Sequence, residues 1–134
     1  MAKIYFIGAG PGDPELITIK GQRIIAEADV IIYAGSLVNK AIIDCRKDSS
    51  ELYNSAHMNL EEVMEITIKA LKENKLVARV HTGDPSIFGA IREQMDILDR
   101  EGFEYEVIPG VSSFVAAAAS LKKELTLPDV SQTI

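Results

Sequence analysis

Arg79-Val-His-Thr-Gly-Asp-Pro-Ser-Ile-Phe-Gly89 is the stretch whose reading decides the fold. The apolar-flanked run at residues 76–80 reads as a short buried strand that ends in His81-Thr82. Thr82-Gly83-Asp84-Pro85 then turns the backbone, and a helical pattern begins near Ile87-Phe88-Gly89-Ala90. In an open α/β sheet, ligands bind outside the carboxyl ends of the strands, where such a loop lies. Gly83 permits positive φ or a close backbone approach, and Pro85 fixes φ while removing a donor. Asp84 carries two readings. Its carboxylate is free to accept from ligand hydroxyls or to face a cation, or it caps the next helix as an ordinary Asp-Pro turn.

The flanking sequence supplies the rest of a sheet. Residues 3–7 form a β-rich run closed by Gly8, and residues 29–33 a second apolar strand. Residues 51–53 read as a weaker third strand and residues 105–108 as a fifth, closed by Pro109-Gly110. Helical spacing covers residues 15–27, 38–45, 59–74 and 90–100, the last stopped by Gly102. Asn59-Leu-Glu-Glu62 has the form of a capping box, with Asn59 as cap. An Ala-rich helix at residues 112–121 follows, in which Ala116 to Ala119 are small enough to approach the sheet closely. Strands alternating with helices imply an α/β domain, a five-stranded, mostly parallel sheet with helices on both faces.

Bulk composition narrows the function. The 134 residues suit one domain with a real core, and a net charge of -6 without a Lys/Arg cluster argues against nucleic acid as a partner. A single cysteine, Cys45, excludes an intrachain disulfide and a Cys-rich zinc site. It has no basic neighbour before Arg46, which favours a buried or inert thiol over a nucleophile. No apolar stretch reaches the length of a membrane span, and residues 1–7 are too short a run for a signal peptide. A cytoplasmic protein without a membrane partner is expected.

Three loops fall on one edge of such a sheet. Gly8-Ala-Gly-Pro-Gly-Asp-Pro14 fails the dinucleotide fingerprint, because Asp13 stands where a third glycine is required and Pro11 and Pro14 stiffen the loop. A rigid, glycine-lined loop that admits a bulky flat ligand fits better. The second loop is the one around Asp84. The third is Pro109-Gly-Val-Ser-Ser113, where Ser112 and Ser113 read either as N-caps or as groups for a carboxylate or polar ring edge. His57 and His81 have no carboxylate spacing that makes a metal site, and His81 reads as structural or as a ligand-edge contact. Asp96, Asp99, Arg100 and Glu101 read as a solvated helix face.

These loops, with Tyr33-Ala-Gly-Ser-Leu-Val38, Glu93-Gln94-Met95 and Leu125-Thr-Leu-Pro-Asp-Val-Ser-Gln-Thr133, resemble the tetrapyrrole methylase family in motif order and spacing from Lys3 to Ile134. The resemblance implies an S-adenosyl-L-methionine enzyme with two α/β domains, a homodimer, of which residues 1–134 would be the N-terminal domain. It points to Thr82, Gly83, Asp84, Ile87, Ser112 and Ser113 for the methyl donor and to Pro11 and Asp13 for the tetrapyrrole. The nearest branch methylates a corrin precursor at C11. Ala34-Gly35-Ser36 departs from the uroporphyrinogen-III branch, which has an acidic residue after the tyrosine, and this leaves the catalytic base unassigned. The alternatives are another activity of the family (uroporphyrinogen-III, diphthamide or ribosomal-RNA methylation) and a non-catalytic nucleotide-binding module.

Overall fold

The three most apolar runs become the three inner strands of a single parallel sheet. In the computed structural model, which describes residues 2–134, the strands are β1 (Lys3–Gly8), β2 (Val30–Tyr33), β3 (Glu51–Asn54), β4 (Leu76–His81) and β5 (Tyr105–Ile108). Their order is β3-β2-β4-β1-β5, every pairing parallel. All four residues of β2 are buried, whereas the edge strand β3 is mostly exposed. This is the burial that a two-sided parallel sheet demands of its centre.

The helices are α1 (Ile19–Glu27), α2 (Lys40–Ile43), α3 (Leu60–Lys72), α4 (Pro85–Phe88), α5 (Ile91–Glu101) and α6 (Ser113–Leu121). Ile24, Ile25, Ile42 and Ile43 from α1 and α2 pack with Ile7, Ile31 and Val80 on one face of the sheet. Val63, Met64 and Leu71 of α3 and Leu98 of α5 cover Ile4, Phe6, Ile32 and Val77 on the other. Each such fully buried side chain contributes about 1.5–3 kcal/mol of transfer free energy. Among the described residues, no helix is long and apolar enough to cross a membrane.

Helix boundaries follow local chemistry more closely than apolar spacing. The helix expected at residues 15–27 is split, because Asp13 starts a 3-10 turn at Pro14–Leu16 and Thr18 then caps α1 through the Gly21 N–H. Asn39 caps the short α2 inside the expected 38–45 segment. The helix after Asp84 forms one turn, α4, and breaks at Ala90, whose φ of 49° forces a restart as α5. Half of the expected capping box of α3 is present: Asn59 accepts from the Glu62 N–H at 2.8 Å, but among the described residues the Glu62 side chain does not reach back to the Asn59 N–H. One packing expectation fails. Ala118 alone of α6 is buried, so Ala116 to Ala119 do not lie against the sheet. No residue of α6 belongs to either of the two core clusters that cover the sheet.

Three glycines bring the inner strand ends and β5 together. A Cβ on Gly8 would sit 2.6 Å from the Gly110 nitrogen and 2.7 Å from the Gly83 carbonyl oxygen. A Cβ on Gly110 would collide with the same Gly83 oxygen and with the Gly8 backbone. Backbone cannot swing aside as a flexible side chain can, so overpacking here should cost about 1–3 kcal/mol. Gly110→Ala is accordingly expected to lower the unfolding free energy by that amount in urea titration; an unchanged midpoint would contradict the contact.

Candidate functional site

β1 and β4 are neighbours whose following helices go to opposite faces, the reversal beside which open α/β sheets place their ligands. The loops there are locked to each other by backbone hydrogen bonds. The Ala9 N–H donates to the His81 carbonyl at 2.7 Å, and Gly10 and Gly83 exchange N–H to carbonyl bonds at 3.2 and 2.7 Å. Gly10 and Gly83 hold φ of 80° and 60°, the left-handed region that favours glycine.

Asp84 adds the third loop. One carboxylate oxygen accepts the Ser86 N–H at 2.8 Å and caps α4; the other accepts the Gly110 N–H at 2.9 Å. The capping reading of this residue is therefore correct, and the second bond goes beyond it, since it ties the β4 loop to the β5 loop. Charged-group bonds of this kind contribute about 1.5–3 kcal/mol each. Farther along the edge, Asn54 Oδ1 accepts from the N–H groups of Gly35 at 3.0 Å and Ala56 at 2.9 Å. The Asn54 side chain occupies the space a Cβ on Gly35 would need. A side chain at position 35 would have to displace the Asn54 amide from these two bonds.

The predicted residues divide into two groups. Gly83, Ser112 and Ser113 come together, since a Cβ on Gly83 would lie 3.6 Å from Ser112 Cα and 3.8 Å from the Ser113 nitrogen. Pro11, Asp13 and Ser113 line a cleft of about 670 Å³ floored by Val115, Ala116, Ala117 and Ala119 of α6. The small residues of α6 thus shape a cleft wall. Thr82 and Ile87 are exposed beside Asp84 and do not line that cleft. A smaller depression of about 230 Å³ lies between β3 and α3, where Lys75, Glu51 and Tyr53 already satisfy one another. Ser112 stands at the N-cap of α6 without a side-chain capping bond, so of its two readings the capping one is not realised.

Beneath the loops lies a buried polar group that sequence reasoning passed over. Arg79 donates to Ser55 Oγ at 3.2 Å, and Ser55 Oγ in turn donates to the Tyr33 carbonyl at 3.2 Å. Burial without a carboxylate partner lowers the Arg79 guanidinium to about 10. His81, 6% exposed, packs at 6.1 Å from the Phe6 ring, and burial together with the Arg79 charge pushes its imidazole down to about 3. His81 is therefore neutral and structural, and its carbonyl is the part that meets the loops. The missed residues (Arg79, Asn39, Asn54) left one sequence signal, since each Asn immediately precedes a helical turn.

The sequence profile of the tetrapyrrole (corrin/porphyrin) methylases matches residues 3–134. The cobalt-precorrin-4 C(11)-methyltransferase of Methanocaldococcus jannaschii is 62% identical over 98% of this chain and 51% of its own length. The X-ray structure of a cobalt precorrin-4 methyltransferase of cobalamin biosynthesis superimposes with a TM-score of 0.95 at 51% identity, over 98% of this chain and 55% of that one. The uroporphyrin-III C-methyltransferase of Thermus thermophilus, complexed with S-adenosylhomocysteine, gives a TM-score of 0.80 at 31% identity, over 98% and 53%. The chain spans about half the length of the curated relatives it matches.

The buried imidazole has a measurable consequence. His81 is held at about 3 against an ordinary 6.5, so between those values the unfolded chain binds a proton that the native chain does not. Its contribution to stability is complete above the ordinary value and falls as pH drops below it, by at most about 1.4 kcal/mol per pH unit. Asp29, Glu51 and Glu106 are held low by their lysine, tyrosine and backbone partners, and their stabilisation is lost only at more acidic pH. Denaturant midpoints should therefore decline from about pH 6.5 to about pH 5, and His81→Gln should flatten that decline. Equal slopes in both proteins would contradict the assignment.

Proposed function

The chain belongs to the tetrapyrrole (corrin/porphyrin) methylase family, and from that premise we propose that it forms the donor-binding domain of an S-adenosyl-L-methionine-dependent C-methyltransferase. Its substrate is a corrin precursor, precorrin-4 or cobalt-precorrin-4, methylated at C11. The observation that carries this reading is the backbone cradle formed by Gly83 against Ser112 and Ser113, beside a cleft wide enough for a flat ring.

The cradle suits the donor chemically. The first-turn N–H groups of α6, a nine-residue helix, have no side-chain cap from Ser112, which suits a carboxylate. Gly83, buried against Ser112 and Ser113, brings the loops together, Thr82 and Ser113 add exposed hydroxyls, and Ile87 adds an exposed apolar contact. Both Asp84 oxygens already accept from backbone N–H groups, so Asp84 serves the donor by holding the two loops in register. When bound, S-adenosylmethionine supplies a methyl group activated by its own sulfonium charge, and no protein nucleophile is required. The chain's task is then to fix donor and ring carbon at near-attack distance and to exclude water, which can supply much of the rate. Pro11 and Asp13 face the ring across the cleft.

A second domain, a homodimeric partner and cytoplasmic residence belong to the same reading. The apolar side chains of Phe114, Val115 and Leu121 on α6 stand exposed and suit burial against such a domain.

Isothermal calorimetry with S-adenosylhomocysteine tests the donor site. Micromolar affinity is expected, with no comparable uptake of NADH or ATP. Ser113→Ala should weaken binding about three- to tenfold, one hydrogen bond's worth, without moving the melting temperature. Equal affinity for all three nucleotides, or an unchanged Ser113→Ala, would sink the reading.

A further inference from the structure

Gly12 has φ of 128°, and a Cβ placed on it would meet nothing within 4 Å. Packing therefore does not hold this part of the first loop. Its carbonyl instead accepts from Asn39 Nδ2 at 2.8 Å, across 27 residues of sequence. The oxygen of the same amide accepts the Ala41 N–H at 3.0 Å and caps α2. One side chain thus starts a helix with its acceptor and holds a distant glycine with its donor.

We propose that Asn39 is a positioning residue, whose amide donor latches the lip at residues 11–13 to the β2 loop and so sets the shape of the tetrapyrrole cleft. This rests on the assignment of Pro11 and Asp13 to the ring side. The loop is anchored at Gly10 by its two bonds to Gly83, and from Asp13 onward by the 3-10 turn that Asp13 caps through the Glu15 N–H at 2.9 Å. Between these anchors Gly12 is the freely rotating joint, because glycine populates both signs of φ. Turning its peptide moves Pro11 relative to the anchored Asp13, and both line the cleft. The Asn39 donor fixes that joint in one setting. The residue type is demanding: Ser, Thr and Asp cap a helix as well as Asn does, yet none of them carries an amide donor of that reach.

Asn39→Ser separates the two roles, since it keeps a cap and a neutral side chain but removes the amide donor; Asn39→Ala removes both. The probes are uroporphyrin III, followed by its fluorescence, and S-adenosylhomocysteine, followed by calorimetry. Asn39→Ser should weaken uroporphyrin III binding about three- to tenfold and raise amide hydrogen exchange at Gly10, whose N–H donates to the Gly83 carbonyl beside the lip. It should leave exchange across residues 40–43 and the S-adenosylhomocysteine affinity at wild-type levels. Asn39→Ala should raise exchange in both segments. Wild-type loop exchange and porphyrin affinity in Asn39→Ser would overturn the latch. A wild-type chain that ignores uroporphyrin III contradicts the ring-side assignment instead, and the exchange comparison then decides by itself whether Asn39 holds the loop.

Discussion

The two bonds from backbone N–H groups to the Asp84 carboxylate are the constraint on which the rest of this edge depends. The Ser86 bond starts a helix one turn long, and the Gly110 bond draws in a loop from a strand two places away in the sheet. Without that second bond, no side chain would tie the β4 loop to Gly110, and their contact would rest on packing and on each loop's ties to β1. A carboxylate can do this because it offers acceptor sites in two directions and makes stronger bonds to N–H groups than a neutral oxygen. A single short side chain thereby sets the distance between the β4 and β5 loops.

The remaining ties extend this pattern along the sheet. Gly10 and Gly83 join the β1 and β4 loops, Asn39 reaches from the β2 loop to Gly12, and Asn54 holds Gly35. The result is a belt of hydrogen bonds over the carboxyl ends of the strands, built largely from backbone, glycine and asparagine. Preorganisation of this kind reduces the ordering that binding would otherwise require. Below the belt, Arg79 and His81 are buried at the end of β4, and neither side chain reaches the cleft lining.

Much of the architecture was legible in the sequence because the apolar runs around Ile31 and Val77 are short, dense and separated by helical spacing. The parallel sheet with helices on both faces followed from that alternation, and so did the edge at which Gly83, Ser112 and Pro11 gather. Helix limits were less visible. Apolar spacing runs through Thr18 and Ala90, whereas the chain obeys a cap at the first and a left-handed turn at the second. The packing of α6 was misjudged because alanine suits both close helix–sheet contact and the wall of a cleft. Arg79 left no local pattern, and Asn39 signalled only its helix cap, since its bond to Gly12, like that of Arg79 to Ser55, reaches another element. Long-range hydrogen bonds of that sort have no period to read.

A crystal structure of this chain soaked with S-adenosylhomocysteine tests the central claim most directly. The account predicts the ligand against Gly83, Asp84, Ser112 and Ser113, with the Asp84–Gly110 bond intact and loop Cα atoms displaced by less than about 1 Å, as in other preorganised sites. Ligand bound elsewhere, or bound here only after the β4 and β5 loops separate, would contradict it.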